Sequence, residues 1–241
     1  MAGPEAAVAL RFAERRSNFV SAVTHELKTP LTAIRMYAEM LRDGMVPAEA
    51  RRQECYGILT AESERLSRLL DNVLELGRLE RGQRPMALRQ GALAPVVEEV
   101  LQVLRPHAES KGFALRVVVD DGLPPVRFER DALSQVLLNL VENALKYARE
   151  AAEREVLVTL QAAGKGVAMT VRDRGPGVPA AHLRHVFEPF YRGQDELTRT
   201  ASGAGIGLAL VRQLVERMGG RVTGRNHPDG GFEVTVTLPG S

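Results

Sequence analysis

Four stretches of this chain combine residue types and spacings that could support chemistry. In Phe19-Val20-Ser21-Ala22-Val23-Thr24-His25-Glu26-Leu27-Lys28-Thr29-Pro30-Leu31, His25 offers an imidazole that is nucleophilic when neutral, near physiological pH. Asn139, Asn143, Lys146 and Tyr147 follow the spacing of one helix face. Their amide oxygens are hard ligands and the ammonium is a point charge, a set that suits Mg²⁺ with phosphate. In Asp173-Arg174-Gly175-Pro176-Gly177 the carboxylate could accept from an exocyclic amine, and the glycines would let backbone approach a flat base. Gly203-Ala204-Gly205-Ile206-Gly207-Leu208 runs into a helix, where free N–H groups and the helix dipole make an anion corner. Each stretch has a plainer alternative: a solvated histidine, a polar helix face, an ordinary Asp-Gly turn, a flexible glycine loop.

The elements that must position these residues divide at about residue 82. Before it, apolar residues recur with helical period, broken only at Asp43-Gly44-Met45-Val46-Pro47. Val20, Leu27, Ile34 and Leu41 form one seam, filled by Val23, Leu31 and Ala38; Leu59, Leu66 and Val73 form the second, flanked by Leu69, Leu70 and Leu76. Two such helices make an antiparallel hairpin with stripes too wide for one neighbour. Pairing two hairpins into a four-helix bundle covers them; packing on the rest of the same chain is the other solution. His25 lies about 200° from seam residue Leu27 and therefore points to solvent. Thr29 is one turn further on the same face, and Thr32, Met36 and Met40 continue the stripe with Tyr37 beside it, a set that suggests docking. Pro30 removes one backbone bond and should kink the helix.

After Gly82-Gln83-Arg84-Pro85 the pattern alternates. Helices are expected at 96–104, 131–147 and 206–218, and strands at 113–119, 126–128, 156–161, 167–173, 221–226 and 232–238. The last two strands read as a hairpin through 227–231. One mixed sheet with helices on one face follows, an α+β two-layer sandwich. The stretch Phe187-Glu188-Pro189-Phe190-Tyr191-Arg192 leads into a long polar segment of the kind that forms lids, with Arg192 and Arg199 as phosphate-reaching candidates.

Each motif is weak, but their order is specific. NxxxNAxKY at 139–147, DxGxG at 173–177, FxPFYR at 187–192 and GxGxGL at 203–208 together resemble the ATP-binding domain shared by histidine kinases, gyrase, Hsp90-type chaperones and MutL proteins. The resemblance covers residues 85–240. It implies a Bergerat-type fold, ATP and Mg²⁺ as cofactors, Asn143 on the metal with Asn139 nearby, and Lys146 and Tyr147 facing the phosphates. Asp173, with Gly175 and Gly177, would take the adenine; Arg192, Gly203, Gly205, Gly207 and Leu208 would serve the phosphates.

Position 139 separates the branches of that superfamily. Its hydrolysing members resemble one another in a Glu one turn before the metal Asn; here an amide stands there, a poor general base. Glu142 is about 100° away round the helix and cannot substitute. The phosphoryl group then needs another acceptor, and His25-Glu26-Leu27-Lys28-Thr29-Pro30 resembles the phospho-acceptor box of histidine kinases. The resemblance implies that Glu26 orients the ring or accepts its proton, and that Thr29 helps place a water for phosphatase chemistry. It also implies that a response-regulator receiver domain docks near His25, Thr32, Met36, Tyr37 and Met40.

The expected organisation is multidomain: a residual linker or signal helix at 1–16, an all-α dimerisation and phospho-acceptor hairpin at 17–82, and the ATP-binding sandwich at 85–241. A topoisomerase- or chaperone-type ATPase and a non-enzymatic docking protein are the alternatives. Composition narrows the partners further. A net charge of +2 gives no reason to expect nucleic acid, and Cys55, the single cysteine, leaves no thiolate metal cluster and no intrachain disulfide. No apolar run reaches the roughly 18 residues that a membrane span requires, so no membrane contact is expected from these residues. A cytoplasmic setting follows, free or as the cytoplasmic part of an anchored sensor.

Overall fold

The computed structural model describes residues 4–189, 191 and 205–240, with side chains from residue 21 onward except residue 22. The described residues fall into two compact units, one ending at Glu75 and the other beginning at Leu76.

The first unit is helical. Helix α1 (Pro4–Arg42) continues unbroken through Pro30, and α2 (Glu49–Glu80) follows a short connection. Gly44 sits at φ +67°, where the amide of Met45 reaches back to the carbonyl of Met40 at 3.0 Å, a glycine-capped helix end. The seam residues Leu27, Ile34, Leu41, Leu59, Leu66 and Val73 are half-buried. Leu31 is 57% exposed.

The second unit begins with the last turn of α2, whose Leu76 and Leu79 are buried. Then come β1 (Arg89–Gly91), α3 (Leu93–Ser110), β2 (Ala114–Val119), β3 (Val126–Phe128), α4 (Arg130–Tyr147), β4 (Glu155–Ala163) and β5 (Gly166–Arg172). The short α5 (Ala180–Leu183), α6 (Gly207–Arg217), β6 (Arg221–Asn226) and β7 (Phe232–Leu238) complete the described elements. Five strands form one mixed sheet in the order β2-β4-β5-β7-β6, in which only β2 and β4 run parallel. That parallel pair needs a crossover, and the segment carrying β3 and α4 supplies it.

Burial alternates along the central strands, apart from the buried Glu233 beside Val234 and Gly166 beside Val167. Val156, Val158 and Leu160, then Val167, Met169 and Val171, then Val234, Val236 and Leu238 face the helices. Leu101, Leu133, Leu137, Leu210 and Leu214 fill the other layer of the same core. This is the two-layer sandwich expected from the alternation of periods. One detail differs: 126–128 does not join the main sheet but pairs antiparallel with Arg89–Gly91 as a separate two-stranded ladder. Strand β1 carries the pattern Arg-Gln-Gly, which has no apolar alternation to reveal it.

Candidate functional site

In the first unit His25 is exposed, whereas its neighbour Glu26 is only 6% exposed. One residue is 100° of helix, so the imidazole projects outward while the carboxylate turns toward α2. There the Arg65 guanidinium lies 3.6 Å from Glu26 and 3.2 Å from Glu62. Arg65 was not legible as a partner, because 39 residues separate it from Glu26. Thr29 is exposed, and its hydroxyl donates to the His25 carbonyl at 3.4 Å. Thr32 is exposed, Met36 is 47% exposed, and Tyr37 and Met40 are half-buried.

In the second unit α4 presents the amide face. Asn139 is 8% exposed, and its Nδ2 donates to the Gln135 carbonyl at 2.8 Å. Gly207, the first residue of α6, stands against this face: a Cβ there would meet Asn139 Oδ1 at 3.0 Å and Asn143 Nδ2 at 3.5 Å. The glycine-rich helix start and the amide helix, some sixty residues apart in sequence, are thus adjacent in space. One turn beyond, Lys146 Nζ lies 3.1 Å from the Tyr147 hydroxyl and 4.4 Å from the centre of its ring.

Glu142 faces away from that surface. Its carboxylate is approached by His107 Nε2 of α3 at 2.9 Å and by Lys111 Nζ, just past the end of α3, at 3.5 Å. Among the described residues no carboxylate takes the position that Asn139 holds.

Asp173, at the end of β5, is 6% exposed. Its Oδ1 accepts from the Gly175 amide at 2.8 Å and the Phe232 amide at 3.1 Å. Burial pushes its carboxyl pKa up, opposed by those two amides and by the charge of Arg172. Gly175 packs on the C-terminal end of α4, where a Cβ would lie 3.1 Å from the Tyr147 carbonyl. Gly177 has φ +77°, a conformation that glycine adopts without strain.

The fold therefore brings Asn139, Asn143, Lys146, Tyr147, Asp173, Gly175, Gly177, Gly207 and Leu208 into one region of the second unit. Gly205 and then the buried Ile206 lead into this helix start. Arg192, Arg199 and Gly203 lie outside the described residues, as does most of the segment read as a lid. His182 and His185 both contact Tyr191: His182 Nδ1 bonds the Tyr191 hydroxyl, and the His185 and Tyr191 rings are 5.0 Å apart. Among the described residues no cluster of three or more His, Cys, Asp or Glu could hold a metal. An Mg²⁺ at Asn139 and Asn143 would instead rely on amide oxygens together with the oxygens of its nucleotide. That hard donor set fits the ion.

Comparison with known proteins gives a consistent result. Residues 15–82 match the His Kinase A (phospho-acceptor) domain. Residues 128–241 match the histidine kinase-, DNA gyrase B- and HSP90-like ATPase family. The sensor protein SphS of Synechococcus elongatus is 38% identical over 94% of this chain and 55% of its own length. The alginate biosynthesis sensor protein KinB of Pseudomonas aeruginosa is 31% identical over 95% of this chain and 38% of its own length. The chain thus spans about half the length, or less, of these relatives.

Among solved structures, the Acinetobacter baumannii histidine kinase AdeS superposes with a TM-score of 0.69 at 22% identity, covering 89% of this chain and 97% of that one. Full-length ShkA, solved with AMPPNP, gives a TM-score of 0.64 at 24% identity over 99% of this chain and 46% of that one. These two likenesses concern the fold. With a phospho-acceptor region and a kinase-type ATPase region in one chain, and sensor kinases as its relatives, this chain belongs to the sensor histidine kinases.

Proposed function

We propose that this chain binds ATP in its second unit, phosphorylates its own His25, and passes the phosphoryl group to an aspartate of a response-regulator receiver domain. The observation that carries the reading is a pairing of opposites. His25 is an exposed nucleophile, whereas the position from which a base would activate water holds Asn139, an amide already donating to a backbone carbonyl.

The residues have separable tasks. Asp173 keeps one carboxylate oxygen occupied by backbone amides and has the second for the adenine amino group. Lys146 and Tyr147 face the phosphates, with the N–H groups of Gly205, Gly207 and Leu208 at the start of α6 and with Arg192 and Gly203. Asn143, with Asn139, would hold Mg²⁺, which when bound offsets phosphate charge. A ring nitrogen of His25 attacks the terminal phosphorus, an N–P bond forms, the P–O bond to ADP breaks, and the ring proton leaves. Glu26, held in the hairpin by Arg65, orients the ring or takes that proton.

Homodimerisation belongs to the same proposal, because the half-buried seams of both helices need a second hairpin to cover them. The receiver domain docks along His25, Thr32, Met36, Tyr37 and Met40, and the aspartyl phosphate is later hydrolysed with the help of Thr29.

The test is labelling with Mg²⁺ and terminally labelled ATP. Wild type should take up label that is lost in acid and kept in base, as a phosphohistidine is. His25→Ala and Asn143→Ala should each show none above background. Equal labelling of the His25→Ala protein, or acid-stable label, would sink the kinase reading.

A further inference from the structure

The tip of the β6–β7 hairpin holds the loop that follows Asp173. Asn226, the last residue of β6, lays its side-chain amide along the backbone of Val178, 48 positions away in sequence. Its Oδ1 accepts from the Val178 amide at 2.8 Å and its Nδ2 donates to the Val178 carbonyl at 2.7 Å. The pair imitates a rung of a β-ladder, with a side chain in place of a strand. Gly177 is fitted to it: besides its φ of +77°, a Cβ there would stand 2.8 Å from Asn226 Oδ1.

The other end of the tip is held as closely. The Asp173 amide donates to the Phe232 carbonyl at 3.0 Å, and the Phe232 amide returns a bond to Asp173 Oδ1 at 3.1 Å. At Gly231, φ +91°, any Cβ would fall 1.9 Å from the Asp173 carbonyl oxygen. The Asp173–Val178 loop is thus pinned at both ends by one hairpin tip, and at the Val178 end the pin is the Asn226 side chain.

We infer that Asn226 is a positioning residue for nucleotide recognition. It fixes Gly177 and Val178 so that the loop offers the purine a preformed edge instead of being ordered at the expense of binding energy. The inference rests on reading residues 85–240 as an ATP site. It assigns Asn226 no contact with the nucleotide, so its loss should weaken binding and leave the chemistry of bound ATP alone.

The test uses the full chain, with Mg²⁺-AMPPNP binding by calorimetry and label on His25 at saturating ATP. Losing two bonds at an exposed site should raise the dissociation constant roughly three- to tenfold in Asn226→Ala. Labelling at saturation should stay within about twofold of wild type, the mark of lost binding rather than lost chemistry. Asn226→Asp keeps an acceptor for the Val178 amide and loses the donor, so its constant should fall between the two. By NMR, the Val178 amide should exchange faster in Asn226→Ala and stay protected in Asn226→Asp.

An unchanged AMPPNP constant in Asn226→Ala overturns the inference. So does loss of saturated labelling together with a lowered melting temperature, which would make Asn226 a folding residue. Wild-type protein that binds no AMPPNP overturns the ATP reading itself; wild-type binding with an unaffected Asn226→Ala variant overturns the clamp alone.

Discussion

The two units solve the problem of a core differently. From residue 21 to 75 the buried positions among the described residues are Glu26, Pro30, Val46 and Cys55, and the leucines of both seams remain partly in solvent. The second unit encloses a continuous apolar core reaching from Leu79 to Leu238. Its loops are braced across long stretches of sequence by Asn226, Phe232 and the carboxylate of Asp173. The hairpin leaves its surfaces, and its histidine, available to something else. The second unit is closed on itself, and its candidate site belongs to a finished domain. Apolar surface left open in one unit and sealed in the other suggests where association acts and where it does not.

The contrast can be broken most directly by truncating one leucine on each side. Leu137 is fully buried, so Leu137→Ala should cost about 2–5 kcal/mol in denaturant unfolding of the nucleotide unit. Leu66→Ala should leave that transition in place and weaken self-association instead, seen as a larger monomer fraction by sedimentation at micromolar concentration. A Leu66→Ala protein that unfolds as readily as Leu137→Ala at every concentration would mean the hairpin core is already complete.

A second measurement asks whether the chemistry divides as the cores do. Thr29→Ala should slow dephosphorylation of a phosphorylated receiver domain on the order of tenfold, since placing a water is a positional task. AMPPNP binding and His25 labelling should be unchanged. Equal loss of labelling and dephosphorylation would show that Thr29 supports the helix rather than the reaction.

The smallest effect concerns the cost of enclosure. Burial raises the Asp173 pKa above the ordinary carboxylate value of about 3.9. Folding therefore favours its neutral form. The stability so gained is present below the ordinary value and is lost as pH rises through the raised one. Asp173→Asn retains an oxygen for the amides of Gly175 and Phe232 but cannot ionise. Between pH about 4 and 7 it should lose less stability than wild type, measured by denaturant unfolding at both values. Equal losses would show that the carboxylate is better solvated than its burial indicates.

How much of this was legible depended on how far apart in sequence the interacting groups are. The hairpin and its Gly44 turn, the amide face of α4 and the alternation along β4, β5 and β7 are local periodicities, readable without knowing the fold. Strand β1 was not readable, having no apolar pattern, and neither was the placement of 126–128 outside the main sheet. For the site, the ordered motifs marked Asn139, Asn143, Asp173 and Gly207. They did not show that Gly207 abuts the Asn139 amide, that Arg65 lies against Glu26, or that Asn226 holds Val178.

The sequence by itself determined which side chains are present and which face of its own helix or strand each one shares, because these follow from fixed periods of 3.6 and 2.0 residues. It determined that an amide occupies position 139 and that His25 lies opposite an apolar seam. Only the tertiary structure decided which faces meet. Glu26 points inward to Arg65 while His25 stays in solvent, and the Asp173–Val178 loop is held by a hairpin tip nearly fifty residues downstream. Such pairings are set by the packing of the core as a whole, which brings together segments that carry no mark of one another.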